Sequence, residues 1–363
     1  MQVNYKSYFD IPDDVCYLTT PGSGLLPTAS KDWRKERDAE FFSAMTDLRE
    51  KQGEFNQAVK KSIGDFFTIA PDHVYNTSNF STGFNALLGR LPQQAKVLLL
   101  EGDYPSVNFS VILRGFEYVT AQIDEQLEDN IIAAIKKHQP SIFIFSIVQY
   151  ISGIKINLEF IKQLKTQFPE LLIIGDGTQY FGTELFDFSQ SGFDIVGASG
   201  YKWLLGGYGN GFILASDYAK HILFPELSTE NIEIDSMWVG KNIDQLYFEP
   251  GHIDTLAQGT LQKGLQFLTE LGLENTAAYT HRLVQLAKDE LSKRGILSQT
   301  VINRAETSTI FNLQIDQGHF NMLMEHQIKC FPRGNGIRIG FHLYNDESDL
   351  EKLLKIIDTK ILK

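Results

Sequence analysis

Asp176 closes the apolar run LLIIG and is followed by Gly177, Thr178 and Gln179; Lys202 follows the next such run, DIVGA, within Ser199-Gly200-Tyr201-Lys202-Trp203. Taken singly, the first reads as a turn or helix-capping acid and the second as a solvated cation. Brought together they read differently. In an open parallel sheet, ligands bind beyond the carboxyl ends of the strands, so adjacent strands ending at these residues would carry both side chains to one rim. A desolvated lysine with a lowered pKa forms a Schiff base with an aldehyde cofactor. A nearby anion keeps a pyridine nitrogen protonated, as a sink for electrons released at a substrate Cα. Those are the two requirements of pyridoxal 5'-phosphate, and Asp176 with Lys202 meets both.

The elements that would hold them there are legible from about residue 70 to 215. Short apolar runs, among them KVLLLE, SIFIFSI, LLIIGD, DIVGA and GFILA, alternate with amphipathic stretches such as VNFSVILRG and LEFIKQLKTQF, and a helix is expected from Thr82. This rhythm predicts βαβ units on a mostly parallel sheet, and runs apolar on both strand faces predict helices on each side of it. Asn210-Gly211 carries the signal of a tight hairpin turn. Beyond Pro250, helices are expected near 256–271 and 275–294, then strand, helix and strand. The last strand is IRIGFHLY, with Ile337, Ile339, Phe341 and Leu343 on one face, and a closing helix follows.

The 363-residue chain has 33 Lys and Arg against 45 Asp and Glu, a net charge of −12. No basic cluster stands apart, which argues against a nucleic acid or an anionic membrane as partner. The two cysteines, Cys16 and Cys330, are too far apart for a CxxC metal or redox site, and no metal is expected. GGYGNG precedes the strand-like FILAS rather than opening a helix, and GxxxxGK[ST] is missing, so a nucleotide cofactor is not expected either. The first residues show no basic-then-apolar leader, and no apolar stretch approaches the roughly 20 residues of a membrane span. A small-molecule substrate, self-association and a cytoplasmic setting are expected.

D-G-T-Q, a strand, S-G-Y-K and the glycine-rich GGYGNG together resemble the class V aminotransferase family of pyridoxal-phosphate enzymes, which includes the cysteine desulfurases. The resemblance runs over most of the chain. It implies the fold-type-I α/β architecture: a large domain, residues 16–250, around a mostly parallel seven-stranded sheet, and a smaller α+β domain of 251–363 with 1–15. It also implies roles. Lys202 would carry the cofactor, Asp176 would face its ring nitrogen and Gln179 its phenolate oxygen. TSNFSTGFNALL resembles T-S-G-x-T-E-x-x-N, which sets Phe80 and Ser81 at a helix start beneath the phosphate, with Ser199 and Tyr201 as further phosphate ligands. Tyr104, in LLEGDYPSVN, stands where the family has an aromatic residue, often His, over the ring; a phenol is the poorer acid or base near neutrality. FEPGHIDTLAQG resembles F-x-x-G-T, which reaches the phosphate of a neighbouring subunit, with His252 replacing the threonine. That match implies a homodimer with shared active sites. Arg338, with Tyr344-Asn345 after it, aligns with R-x-S-x-x-x-Y-N, whose arginine grips an α-carboxylate, so a small α-amino acid is the implied substrate. Gly22 to Leu25 in PGSGLL, and Gln149-Tyr150 in SIVQYISG, are candidate walls of the substrate pocket.

Cysteine desulfurases carry a nucleophilic cysteine on a mobile loop well ahead of that arginine. Cys330 stands too close to Arg338, beside Pro332, and Cys16 in VCYL reads as a buried strand residue. Transamination, which needs no catalytic group beyond Lys202, is the first expectation. The alternatives are a cysteine-independent C–S lyase or epimerase of the same family, then a desulfurase, and last a non-catalytic cofactor-binding protein.

Overall fold

In the computed structural model, which describes residues 4–225 and 242–362, the chain opens with β1 (Cys16–Tyr17), α1 (Ser30–Ala39) and α2 (Gln52–Phe67). Strands and helices then alternate: β2 (Val74–Thr77), α3 (Phe80–Leu88), β3 (Lys96–Leu100), α4 (Pro105–Leu113), β4 (Glu117–Ala121) and α5 (Leu127–His138). The series continues through β5 (Ile142–Ser146), α6 (Leu158–Gln167), β6 (Leu172–Asp176), β7 (Ile195–Ser199) and β8 (Gly211–Ala215). These strands form one seven-stranded sheet in the order β2-β8-β7-β6-β5-β3-β4. β8 is antiparallel to both neighbours and every other pair is parallel, so the expected fold class is the one observed.

The apolar runs are explained by burial on two sides. In β5, Phe143 and Phe145 enter a core cluster with Phe67 of α2 and Ile161 of α6, while Ile142 and Ile144 enter another with Phe84 of α3 and Val107 of α4. Since β2 and β7 both oppose β8, β2 runs with the parallel strands, and α3 starts at the same sheet edge where β5, β6 and β7 end. That edge holds the site. α3 begins at Phe80 rather than Thr82 because the Asn79 side chain accepts the Thr82 N–H at 2.9 Å and caps the first turn.

The rest of the chain comprises α7 (Asp217–Leu223), α8 (Ile243–Phe248), α9 (Thr255–Leu271), α10 (Leu273–Lys293) and α11 (Gln299–Asn303). β9 (Ile310–Leu313), α12 (Phe320–Glu325), β10 (Ile328–Lys329), β11 (Phe331–Arg333), β12 (Gly336–Gly340) and α13 (Glu347–Ile356) complete it. β11, β12 and β9 form an antiparallel sheet, covered by Leu283, Ala287 and Leu291 of α10 and by Leu350 and Leu353 of α13. Among the described residues no helix is long and apolar enough to cross a membrane.

Two expectations differ from the structure, and the cores are made up as follows. α9 buries Leu261, Leu265 and Leu268 with the large sheet, and Tyr5 and Phe9 join them, whereas Cys16 and Leu18 enter the core of the small sheet. Gly264 makes that packing possible, since a Cβ there would stand 2.2 Å from the Leu204 carbonyl oxygen. Asn210-Gly211 is not a tight hairpin: residues 200–210 separate β7 from β8, and the Asn210 amide donates to the carbonyls of Gly206, Gly207 and Ala257. The final strand spans only Gly336–Gly340, so Phe341 and Leu343 lie beyond it.

Candidate active site

β6 delivers Asp176 as its last residue, paired with Gly197 of β7, and Lys202 lies three residues beyond the end of β7 at Ser199. Both line one pocket, with Phe80, Ser81, Tyr104, Tyr150, Gln179, Ser199 and Tyr201 around them. Every residue expected to bind the cofactor within one chain is therefore brought together. Ser146 and Thr178 also line this pocket, although the sequence reading did not select them. Ser146 ends β5, so the rule that identified Asp176 would have found it.

The lysine is held by its backbone. The Gly24 N–H donates to the Tyr201 carbonyl at 2.8 Å, and a Cβ on Gly24 would stand 2.0 Å from the Lys202 carbonyl oxygen, so only glycine lets residues 21–24 cross there. The next residue, Trp203, donates its indole N–H to Gln179 Oε1 at 2.9 Å, and Gln179 Nε2 donates to the Pro21 carbonyl at 3.0 Å. One Gln179 N–H is left for a ligand. His342 sits behind, with Nε2 against the Trp203 carbonyl at 3.0 Å and Nδ1 accepting the Leu343 N–H at 2.8 Å, an arrangement that needs the neutral ring.

Lys202 is 6% exposed and Asp176 also 6%, yet they form no ion pair, and the described residues offer neither another charged partner within ion-pairing reach. Burial drives the lysine pKa down, with the field of Asp176 opposing and those of Arg338 and Arg333 assisting. Burial drives the carboxyl up, against the Thr178 hydrogen bonds and the charge of Lys202. The amine lies 5.4 Å from the ring centre of Tyr201 and 5.9 Å from that of Tyr104. Burial lifts both phenols, Tyr201 to about 12, so both are proton donors near neutrality, not bases.

At the far end, Ser199 Oγ accepts the Phe80 N–H at 2.9 Å and the Ser199 N–H donates to Thr178 Oγ1 at 3.1 Å. Ser81 Oγ meets Ser106 Oγ at 2.9 Å beside the start of α3. Hydroxyls at the amino end of a helix suit a phosphate. Arg338 does not line that pocket but adjoins it: it is 5% exposed and donates Nη1 to the carbonyl of Tyr150, a lining residue, at 2.7 Å. Gly22 adjoins it: a Cβ there would be 3.9 Å from Arg338 Nη2. Gln149 is not a wall, because its amide is spent on the Gly102 carbonyl and on the N–H groups of Ile151 and Ser152. His252 stays outside, exposed on the loop before α9, which Asp254 caps.

A buried acid lacking a cation and a buried amine lacking an anion, facing a cluster of hydroxyls, fit pyridoxal phosphate: the first to its ring nitrogen, the second to its aldehyde, the hydroxyls to its phosphate. On this sheet they define a pyridoxal-phosphate enzyme of fold type I. The Aminotransferase class-V profile matches residues 28–353, and the chain belongs to that family. A probable cysteine desulfurase of Ureaplasma parvum serovar 3 is 24% identical over 409 aligned positions, covering 98% of this chain and 96% of that one. The apo cysteine desulfurase of Thermococcus onnurineus NA1 superimposes with a TM-score of 0.82 at 16% identity, covering 99% and 98% of the two chains. The cystine C–S lyase C-DES, solved with its product cysteine persulfide, gives 0.82 at 17% identity, covering 96% and 98%. These likenesses at low identity establish a shared fold.

Proposed function

We propose that this chain is a pyridoxal-phosphate-dependent C–S lyase that cleaves the Cβ–S bond of a cysteine-derived amino acid without an enzyme thiol. The observation that carries this reading is the placement of the only two cysteines in the sequence. Cys16 is buried in β1 and its pKa is raised by burial. Cys330 is 4% exposed, and burial pushes its thiol up to about 12. Neither lines the pocket. A thiol protonated at working pH is not a nucleophile. The relatedness to a probable cysteine desulfurase favours C–S chemistry over the transamination expected first, and the cysteines favour elimination over persulfide transfer to the enzyme.

The cofactor, when bound, supplies an aldehyde for the substrate amine and a positively charged ring that withdraws electrons from Cα. Arg338 binds the α-carboxylate. Asp176, when ionised, would stabilise the positive charge on the ring nitrogen. Lys202 would hold the aldehyde and, as a free amine, would receive the Cα proton; its lowered pKa lets it be neutral for that task. Overall, one water would be taken up, the sulfur would leave with the Cβ–S electron pair and gain a proton, and the carbon skeleton would end as pyruvate and ammonia. No oxidant or reductant is needed. The reading includes a homodimer in which His252 of one chain reaches the phosphate of the other, supported by its exposed place ahead of α9.

The test is product analysis on holoenzyme given cysteine, cystine and S-alkylcysteines. Pyruvate, ammonia and a sulfur product are expected in equal amounts, and a variant carrying Cys16→Ala with Cys330→Ala should keep the rate within about twofold. A new amino acid formed from an added keto acid, with sulfur retained, would return the assignment to transamination. Loss of turnover in the double variant with its cofactor still bound would restore an enzyme thiol.

A further inference from the structure

The small sheet presents a second arginine beside the first. β11 and β12 are antiparallel with Phe331 opposite Arg338 and Arg333 opposite Gly336, so Phe331, Arg333 and Arg338 share one face. Gly336 adds no side chain across from Arg333, whose guanidinium carbon lies 4.9 Å from the Phe331 ring centre. The turn joining the two strands abuts the pocket wall: a Cβ on Gly334 would come within 2.6 Å of Ile151 Cγ2, and Ile151 follows Tyr150, whose carbonyl accepts from Arg338.

Neither arginine forms an ion pair among the described residues, in a chain where 45 acidic side chains outnumber 33 basic ones. Arg333 is exposed. Its charge is nevertheless felt at the reacting amine. After burial and Arg338, Arg333 depresses Lys202, and after burial it is the main charge that depresses Arg338. Two guanidinium groups on one face without an anion repel one another, and that cost is recovered when a ligand brings two negative groups.

We propose that Arg333 determines specificity by gripping a second carboxylate, on the side chain of the substrate, while Arg338 holds the α-carboxylate. The preferred substrates are then cysteine derivatives whose sulfur substituent ends in a carboxylate. This rests on the reading of Arg338 above, but not on C–S cleavage.

The test therefore uses amino acids without sulfur. Holoenzyme is titrated with 2-aminoadipate and with norleucine, which has a methyl group where the former has its side-chain carboxylate, and the shift of the visible cofactor band gives each Kd. The diacid should bind about fivefold tighter, the order of a partly exposed ion pair, and less so at high salt. Arg333→Gln should erase the preference, read as the ratio of the two Kd values, and Arg333→Lys should recover part of it. Equal affinities in the unaltered enzyme, or a preference that survives Arg333→Gln, would overturn the proposal. In the same titration, norleucine binding that is indifferent to Arg338→Gln would instead sink the α-carboxylate assignment beneath it.

Discussion

Asp176→Asn separates two consequences of one buried carboxylate. Oδ1 of Asp176 accepts the Thr178 N–H at 2.8 Å, a contact that asparagine can keep, so the strand end is preserved. What changes is charge. Burial raises this carboxyl, and the Thr178 contacts and Lys202 offset that only in part. An acid whose folded pKa is raised contributes stability that is complete below its unfolded pKa, about 3.9, and is lost as pH rises through the folded value. Cofactor-free protein should therefore lose stability between about pH 4 and neutrality on account of Asp176, and the variant should not. At about 1.4 kcal/mol per pKa unit, the cofactor-free variant should be more stable at neutral pH by roughly 1–3 kcal/mol. With cofactor the order reverses. Losing a charged hydrogen bond of about 1.5–3 kcal/mol should weaken cofactor affinity roughly 10- to 150-fold. Thermal unfolding of both forms across pH, with a cofactor titration, measures the two effects. A variant that is less stable without cofactor yet binds it as tightly would refute the reasoning and reduce Asp176 to a turn residue.

Arg338→Gln should raise KM for amino acids by roughly 10- to 150-fold while leaving the visible cofactor band in place, because the arginine meets the site at the Tyr150 carbonyl and does not line the pocket around Lys202. A changed band with an unchanged KM would contradict that placement. His342 is held neutral, its pKa lowered to about 4 by burial, with the Trp203 carbonyl only partly offsetting. A base with a depressed folded pKa contributes stability present above its unfolded pKa, about 6.5, and lost as pH falls through the folded value. Between these limits the native protein should lose roughly 3 kcal/mol that His342→Gln does not lose, measured by denaturant unfolding at each pH. Parallel pH profiles would place the ring in water.

The sheet was legible because its strands are buried on both faces, which writes continuous apolar runs such as Phe143–Phe145 into the sequence. Asp176 and Lys202 were legible for a related reason, since the run marks where a strand ends and the ends of parallel strands meet at one edge. Thr178 and Asp103 carried no such mark. Asp103 is buried behind the pocket, accepting the N–H groups of Tyr104 at 2.6 Å and Ser146 at 2.7 Å, and nothing in its sequence context distinguishes it from a turn acid. Asn210 misled because a local turn preference was overridden by a bond to the Ala257 carbonyl far along the chain. Arg333 was silent for want of register: only the pairing of β11 with β12 reveals that it shares a face with Arg338.

The covalent position of the cofactor decides the matter most directly. Borohydride reduction of holoenzyme, digestion and mass spectrometry should find one pyridoxyl group per chain, on the peptide containing Lys202. A stoichiometric adduct on any other lysine, or full labelling of a Lys202→Ala variant, would contradict the account.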